Sequence, residues 1–253
     1  MEWAFKNRMV YIGGLLLIFI IIFSLPVYRF LNKEPTCFDG KQNGNELGID
    51  CGGSCSNVCK EDAESLVILW SRSFKIREGV YNSIAMIENQ NLSAGAYDVP
   101  YTFRLFDERN ILVYERKGKV NIPAQTRFPI FEGAIVTGER IPQKTFFEFT
   151  NDIDWVQQTS LTSELVIKNQ EILNTDSSPR IDVEVLNRGL KNIKNLELFV
   201  VVYDLDGNAM AGSKTFIDSI KTDKTVKAFF TWPDPFLSQV GRIEVIPKFE
   251  TIR

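Results

Sequence analysis

The sequence predicts a mainly β protein with a single N-terminal transmembrane helix, a small disulfide-rich knuckle and two tandem β-sandwiches. Three observations predict it. Twenty consecutive residues, Met9 to Tyr28, carry no charge. All four cysteines come soon after, between Cys37 and Cys59. Beyond Lys60 the chain turns to short alternating runs of Val, Ile, Phe, Tyr and Thr separated by Gly, Pro, Asn and Asp, which is strand chemistry.

In chain order, residues 1–8 form a cytoplasmic N-terminus, because Lys6 and Arg8 precede the apolar run and positive charge holds that end inside. Residues 9–28 form the span: at about 1.5 Å per helical residue they reach roughly 30 Å, the thickness of a bilayer's hydrocarbon core. A cleaved signal peptide would have a shorter apolar core and a small-x-small site, and Ser24-Leu-Pro-Val-Tyr28 supplies none. Residues 29–36 are a short tether, with Arg29 and Lys33 on the far side of the membrane.

Residues 37–60 form the knuckle. Gly, Asn and Asp fill the gaps between Cys37, Cys51, Cys55 and Cys59, a composition for tight turns with little apolar burial. Cross-links must then hold it, and two disulfides are the simplest account, with three pairings open. Four thiolates can also hold zinc, but Cys37 stands alone, far from the paired clips of zinc knuckles. Asp39, Asn43, Asn45, Glu46 and Asp50 concentrate oxygen atoms as a calcium loop would, although Lys41 sits where a ligand is wanted. Turn residues capping backbone amides are the preferred reading, and no cofactor or metal is expected.

Residues 61–158 and 159–253 are read as the two sandwiches, each near the usual size of such a fold. Leu66-Val-Ile-Leu-Trp70 fits a buried strand or a short helix equally and is taken as the first strand, because alternation resumes at Phe74, Ile76 and Val80. The crossing between sandwiches is placed within Ile153 to Leu173. An internal repeat supports the duplication. Ser83–Asn89 precedes Phe103-Arg-Leu-Phe-Asp107, and Arg180–Asn187 precedes Val200-Val-Val-Tyr203-Asp204, at nearly the same distance. Thr126–Phe131 and Thr225–Phe230 then match, as do the closing strands Phe146–Phe149 and Arg242–Ile246. Alternation puts Phe103 and Leu105 on one strand face and Arg104 and Phe106 on the other. Asp107 and Asp204 start turns, and Trp70, Trp155 and Trp232 are core or interface anchors. With no flexible spacer between the copies, the sandwiches are expected to pack together.

Two resemblances attach to these residues. Phe103-Arg-Leu-Phe-Asp107, and more loosely Tyr203-Asp204 in the second copy, resemble the signature of FxLYD-type immunoglobulin-like domains. That resemblance implies small immunoglobulin-like β-sandwiches in bacterial envelope proteins, with no catalytic residues to carry over. Cys37-Phe-Asp-Gly40 through Asp50-Cys-Gly-Gly-Ser-Cys55 resembles a Cys-x-Asp-Gly…Asp-Cys-Gly-Gly-x-Cys motif of secreted and cell-surface bacterial proteins, which implies a surface context.

Composition narrows the function. The chain has no histidine, and its cysteines are expected to be oxidised, which removes most nucleophile–base pairs. A net charge of −3 with scattered lysines leaves no basic stripe for nucleic acid. The expectation is a non-enzymatic, single-pass protein of the cell membrane with most of the chain outside. It would serve as a structural or assembly component of the envelope, partnered by the lipid bilayer and an envelope protein. The alternatives are a surface binding module for a protein or glycan and, remotely, a calcium- or zinc-binding knuckle. Trp232-Pro-Asp-Pro-Phe236 is singled out as a rigid contact loop, and Asn91-Leu-Ser93 is a formal glycosylation sequon.

Overall fold

The computed structural model describes residues 2–31, 34–158 and 164–248. The chain divides into two compact units, residues 1–56 and 57–253. In the first, α1 (Glu2–Leu31) is one uninterrupted helix whose stretch Phe5–Arg29 is long and apolar enough to cross a membrane. The expected span, Met9 to Tyr28, lies wholly inside it. The helix is longer because Lys6 and Arg8 are good helix formers and no glycine or proline stops the chain on either flank. Along its apolar stretch the described side chains are uncovered, with Leu15 and Ile20 about two-thirds exposed (69% and 65%).

The cysteine-rich segment after the helix contains turns and no helix or strand within the first unit. Gly40, Gly44, Gly52 and Gly53 all take positive φ. At Gly53 a Cβ would lie 1.7 Å from the Asn45 carbonyl oxygen, so only glycine fits there. Cys37 bonds to Cys55 across a separation of 18 residues, and Cys51 and Cys59 are disulfide-bonded as well.

Among its described residues the second unit has thirteen strands: β1 (Val67–Arg77), β2 (Val80–Asn89), β3 (Ala94–Phe106), β4 (Leu112–Ile122), β5 (Thr126–Val136), β6 (Lys144–Phe149), β7 (Val156–Gln157), β8 (Leu165–Leu173), β9 (Arg180–Asn187), β10 (Ile193–Asp204), β11 (Ala209–Ile220), β12 (Thr225–Thr231) and β13 (Val240–Lys248). Every pairing among them is antiparallel. The sheet orders are β1-β2-β5, β4-β3-β6, β8-β9-β12 and β11-β10-β13, with β7 pairing the start of β3. In the first sandwich, Ile87 and Phe128 meet Phe103, Leu105, Ile122 and Phe147. In the second, Ile181, Val183 and Phe230 meet Leu198, Val200 and Val202.

A third core joins the two. Phe74, Ile84 and Met86 of the first sandwich pack against Phe199, Val201, Tyr203 and Ile246 of the second. The unit is therefore four sheets deep, and β2 and β10 are buried on both faces. Both strands lose the apolar–polar alternation of a half-exposed strand and read as continuous apolar runs, Ile84–Ile87 and Leu198–Tyr203. The approach is close at Gly212, where a Cβ would sit 2.2 Å from Ile84 Cδ1.

The duplication is written into the backbone. Positive φ recurs at Asp98 and Asn195, at Asn110 and Gly207, and at Gln125 and Asp223, each pair 97 or 98 residues apart. The hairpins after the aspartates match as well. Asp107 N donates to Ile111 O and Asn110 N to Asp107 O, while Asp204 N donates to Asn208 O and Gly207 N to Asp204 O. Both are three-residue loops with a left-handed third residue, a standard hairpin geometry.

Two expectations are corrected. The Leu66–Trp70 run does open the first strand, from Val67, but that stretch is not buried: Val67, Ile68 and Leu69 are 37–41% exposed, because β1 lies at the end of its sheet. Nor does Val80 continue β1. The turn Glu78-Gly79, with Gly79 at φ 67, reverses the chain and Val80 opens β2. Within the expected crossing, Ile153 to Leu173, β7 ends at Gln157 and β8 begins at Leu165, and the boundary placed at residue 159 lies outside the described residues.

Candidate functional site

The oxygen-rich knuckle holds its own backbone. Asp50 Oδ1 accepts from Asp39 N (2.9 Å) and Gly40 N (3.1 Å), and Asp50 Oδ2 accepts from Gly40 N (2.9 Å). Asp39 accepts from Lys41 N and from the Asn43 side-chain amide, and Glu46 Oε2 accepts from Asn43 N and Asp50 N. The Asn43 amide, more than any other contact, lowers the Asp39 pKa. These carboxylates point at N–H donors and do not converge. Among the described residues one group of three potential metal ligands lies close together, Cys37, Glu46 and Cys55, and its two sulfurs are tied in a disulfide. Asn45 supplies the backbone carbonyl packed over Gly53.

The signature residues occupy structural positions. Phe103 and Leu105 are fully buried in the first core, while Arg104 on the opposite face pairs with Glu115 (2.9 Å) and Glu148 (2.7 Å). Phe106, on that outer face, meets Phe146 edge to face. Asp107 Oδ1 accepts from Ile111 N (2.9 Å) and Arg109 N (3.0 Å); these backbone donors, the Ile111 amide first, hold its pKa below the ordinary value. Asp204 Oδ1 accepts from Asn208 N at 2.7 Å. Tyr203 stands where Phe106 stands in the first copy, but its face of the sheet is covered by the other sandwich. It is 3% exposed, and its hydroxyl donates to Glu244 at 2.8 Å. Burial first, then that contact, pushes its pKa up to about 12. Trp155 and Trp232 are core residues, and Trp70 packs at the layer between sandwiches.

Sequence reasoning missed the chemistry of the two repeat asparagines. Asn89 Nδ2 donates to Ala94 O and Pro123 O, and its Oδ1 accepts from Asn91 N. Asn187 Nδ2 donates to Lys191 O and Ile220 O, and its Oδ1 accepts from Gly189 N. The same three bonds lock the same two loops in each copy. Their matching spacing to the aspartates was the available signal within the chain. The sequon asparagine, Asn91, is buried and its Nδ2 is spent on Glu64 O and Asn89 Oδ1. No glycan can be added there in the folded state.

The cavity that stands out is a trough of about 770 Å³ along β1. Six consecutive residues, Ser71 to Ile76, line it, so it runs along the main chain of the strand instead of one face. One wall is Pro142, Gln143 and Thr145. The other is the start of β11 and the loop from Trp232 to Ser238, the loop singled out in the sequence. Ser71 Oγ donates to Thr145 O, and Arg72 reaches Ala209 O (3.1 Å) and Asn208 Oδ1 (3.2 Å), fixing both walls to the strand. Trp232 is 5% exposed, stacks edge to face on Phe236 at 5.1 Å, and its indole N–H has no acceptor. Leu237 beside it is 94% exposed.

No protein-family model matches the chain, and a search of curated proteins found no match. Among solved structures it is similar to a β-glucuronidase of Bacteroides uniformis (12% identity, TM-score 0.28, 69% of this chain and 25% of that one). A red sea bream transglutaminase aligns at 9% identity and TM-score 0.26 over 73% of this chain and 29% of its own. A β-galactosidase of Bacteroides fragilis aligns at 14% identity and TM-score 0.20 over 70% and 33%. The chain spans a quarter to a third of the length of these structures.

Proposed function

We propose that this is a single-pass membrane protein, N-terminus in the cytoplasm, whose β unit stands outside the membrane as a structural or assembly component of the cell envelope. The observation that carries the reading is one of adjacency. An uncovered apolar helix leads within a few residues to a segment whose four cysteines are all disulfide-bonded. Disulfides persist outside the reducing cytoplasm, and a single apolar helix is the simplest anchor for the cysteine-rich segment and the β unit C-terminal to it. Two sandwiches sharing a middle layer make a stiff body with open strand edges, which suits a scaffold. A second reading, a surface module that binds a protein or glycan ligand, is favoured by the trough along β1.

The test labels intact cells with a membrane-impermeant maleimide, with and without prior reduction. Labelling only after reduction is expected. Labelling only after lysis, without reductant, would put the thiols in the cytoplasm and end the proposal. Cross-linking in the same cells should recover the chain in stable complexes with other envelope proteins; a chain that stays uncross-linked would remove the assembly role.

A further inference from the structure

We infer that the trough along β1 is a peptide-binding site, in which an uncharged, extended segment of a partner protein adds to the sheet as a new edge strand. This deepens the assembly reading and rests on it for its biological setting. β1 ends its sheet: among the described residues its one strand partner is β2, so every second main-chain N–H and C=O of Ser71–Ile76 faces away from a partner strand. The trough runs beside this edge for six residues, about 20 Å at the rise of a strand, which is the length of a six-residue extended peptide.

The walls select the same occupant. Both are anchored to β1 by side-chain hydrogen bonds, so the space between them is preformed. The apolar lining comes from Met210 and Phe236, and Leu237 stands at the rim. The charged lining residues are Arg72, Lys75, Asp204 and Asp234, two of each sign, so the trough offers nothing to an anionic lipid or phosphate and matches a peptide without net charge. Main-chain bonds to the edge would supply affinity, and the apolar wall would receive alternate side chains. A neutral oligosaccharide fits less well. It needs an exposed aromatic face, and Trp232 is only 5% exposed.

The experiment uses the full chain in lipid nanodiscs. A displayed library of ten-residue peptides lacking Asp, Glu, Lys and Arg is selected against it, and the recovered peptides are made and measured by fluorescence anisotropy. Strand addition uses every second peptide N–H. N-methylation of alternate residues in one register should therefore weaken binding at least tenfold, and in the other register leave it unchanged. Leu237→Asp, at a fully exposed position, should weaken binding at least tenfold with no change in melting temperature. No selected binder, or binders indifferent to both N-methyl registers, overturns the proposal. So does binding of a neutral oligosaccharide array, in place of peptides, that Leu237→Asp abolishes. If the Leu237→Asp chain keeps its cross-linked partners in cells, the assembly role stands and the trough is not its contact.

Discussion

Replacing Asn187 by alanine should cost the second sandwich about 3–4 kcal/mol. The side chain is 0% exposed, and it donates to Lys191 O (2.8 Å) and Ile220 O (3.1 Å) while accepting from Gly189 N (2.8 Å). Alanine removes one partner from each of three bonds. Each buried group left unsatisfied costs about 1–3 kcal/mol, and water entering from the nearby loops recovers part of the sum. For a unit of this size each kcal/mol lowers the melting temperature by about 2–4 °C, so a fall of about 6–16 °C is expected. Asn187→Asp keeps the acceptor and loses both donors, and it should cost at least as much because it also buries a charge. The control is Asn192→Ala, whose exposed side chain accepts a single bond from Thr222 N and should cost under about 1 kcal/mol. Urea titration with scanning calorimetry measures all three. If Asn187→Ala falls within the range of the control, the asparagine lock is not what holds these loops.

Three further perturbations probe the middle layer and the knuckle. Gly212→Val should destabilise by about 1–3 kcal/mol, because its side chain would meet Ile84 Cδ1; adding Ile84→Ala should recover part of the loss, a coupling read by a double-mutant cycle. Tyr203 has a folded pKa of about 12 against 10 unfolded, so its contribution is complete below pH 10 and is lost as pH rises toward 12. The unfolding free energy from urea titration should therefore fall between pH 10 and 12, by roughly 2–3 kcal/mol for this group, and the slope should shrink in Tyr203→Phe. Cys37→Ser opens a loop of 18 residues and removes about 3 kcal/mol of constraint, so trypsin should cut at Lys41 far faster than in the wild type.

Much of this was legible, and the parts that were not have physical causes. The long apolar helix, the oxidisable knuckle and the paired Asn–Asp spacing are local signals, and each is visible from the residues themselves. The polarity of β1 misled because a run such as Val67–Leu69 is apolar whether a sheet buries it or leaves it at an edge, and only the strand order decides. The fourfold layering was present as Leu198–Tyr203, a run too continuous for a half-exposed strand, yet its second face is covered through a contact between residues more than a hundred positions apart. The hairpin at Gly79 had its signal in a single glycine, outvoted by the alternation on either side.

The shared middle layer also makes the duplication hard to undo. A chain carrying only the second copy would turn Phe199, Val201, Tyr203 and Ile246 toward water, and a chain carrying only the first would do the same with Phe74, Ile84 and Met86. With these faces buried against each other, neither copy is a self-sufficient folded body. Loss of either half would therefore favour aggregation, so the two copies stand as one indivisible folding unit.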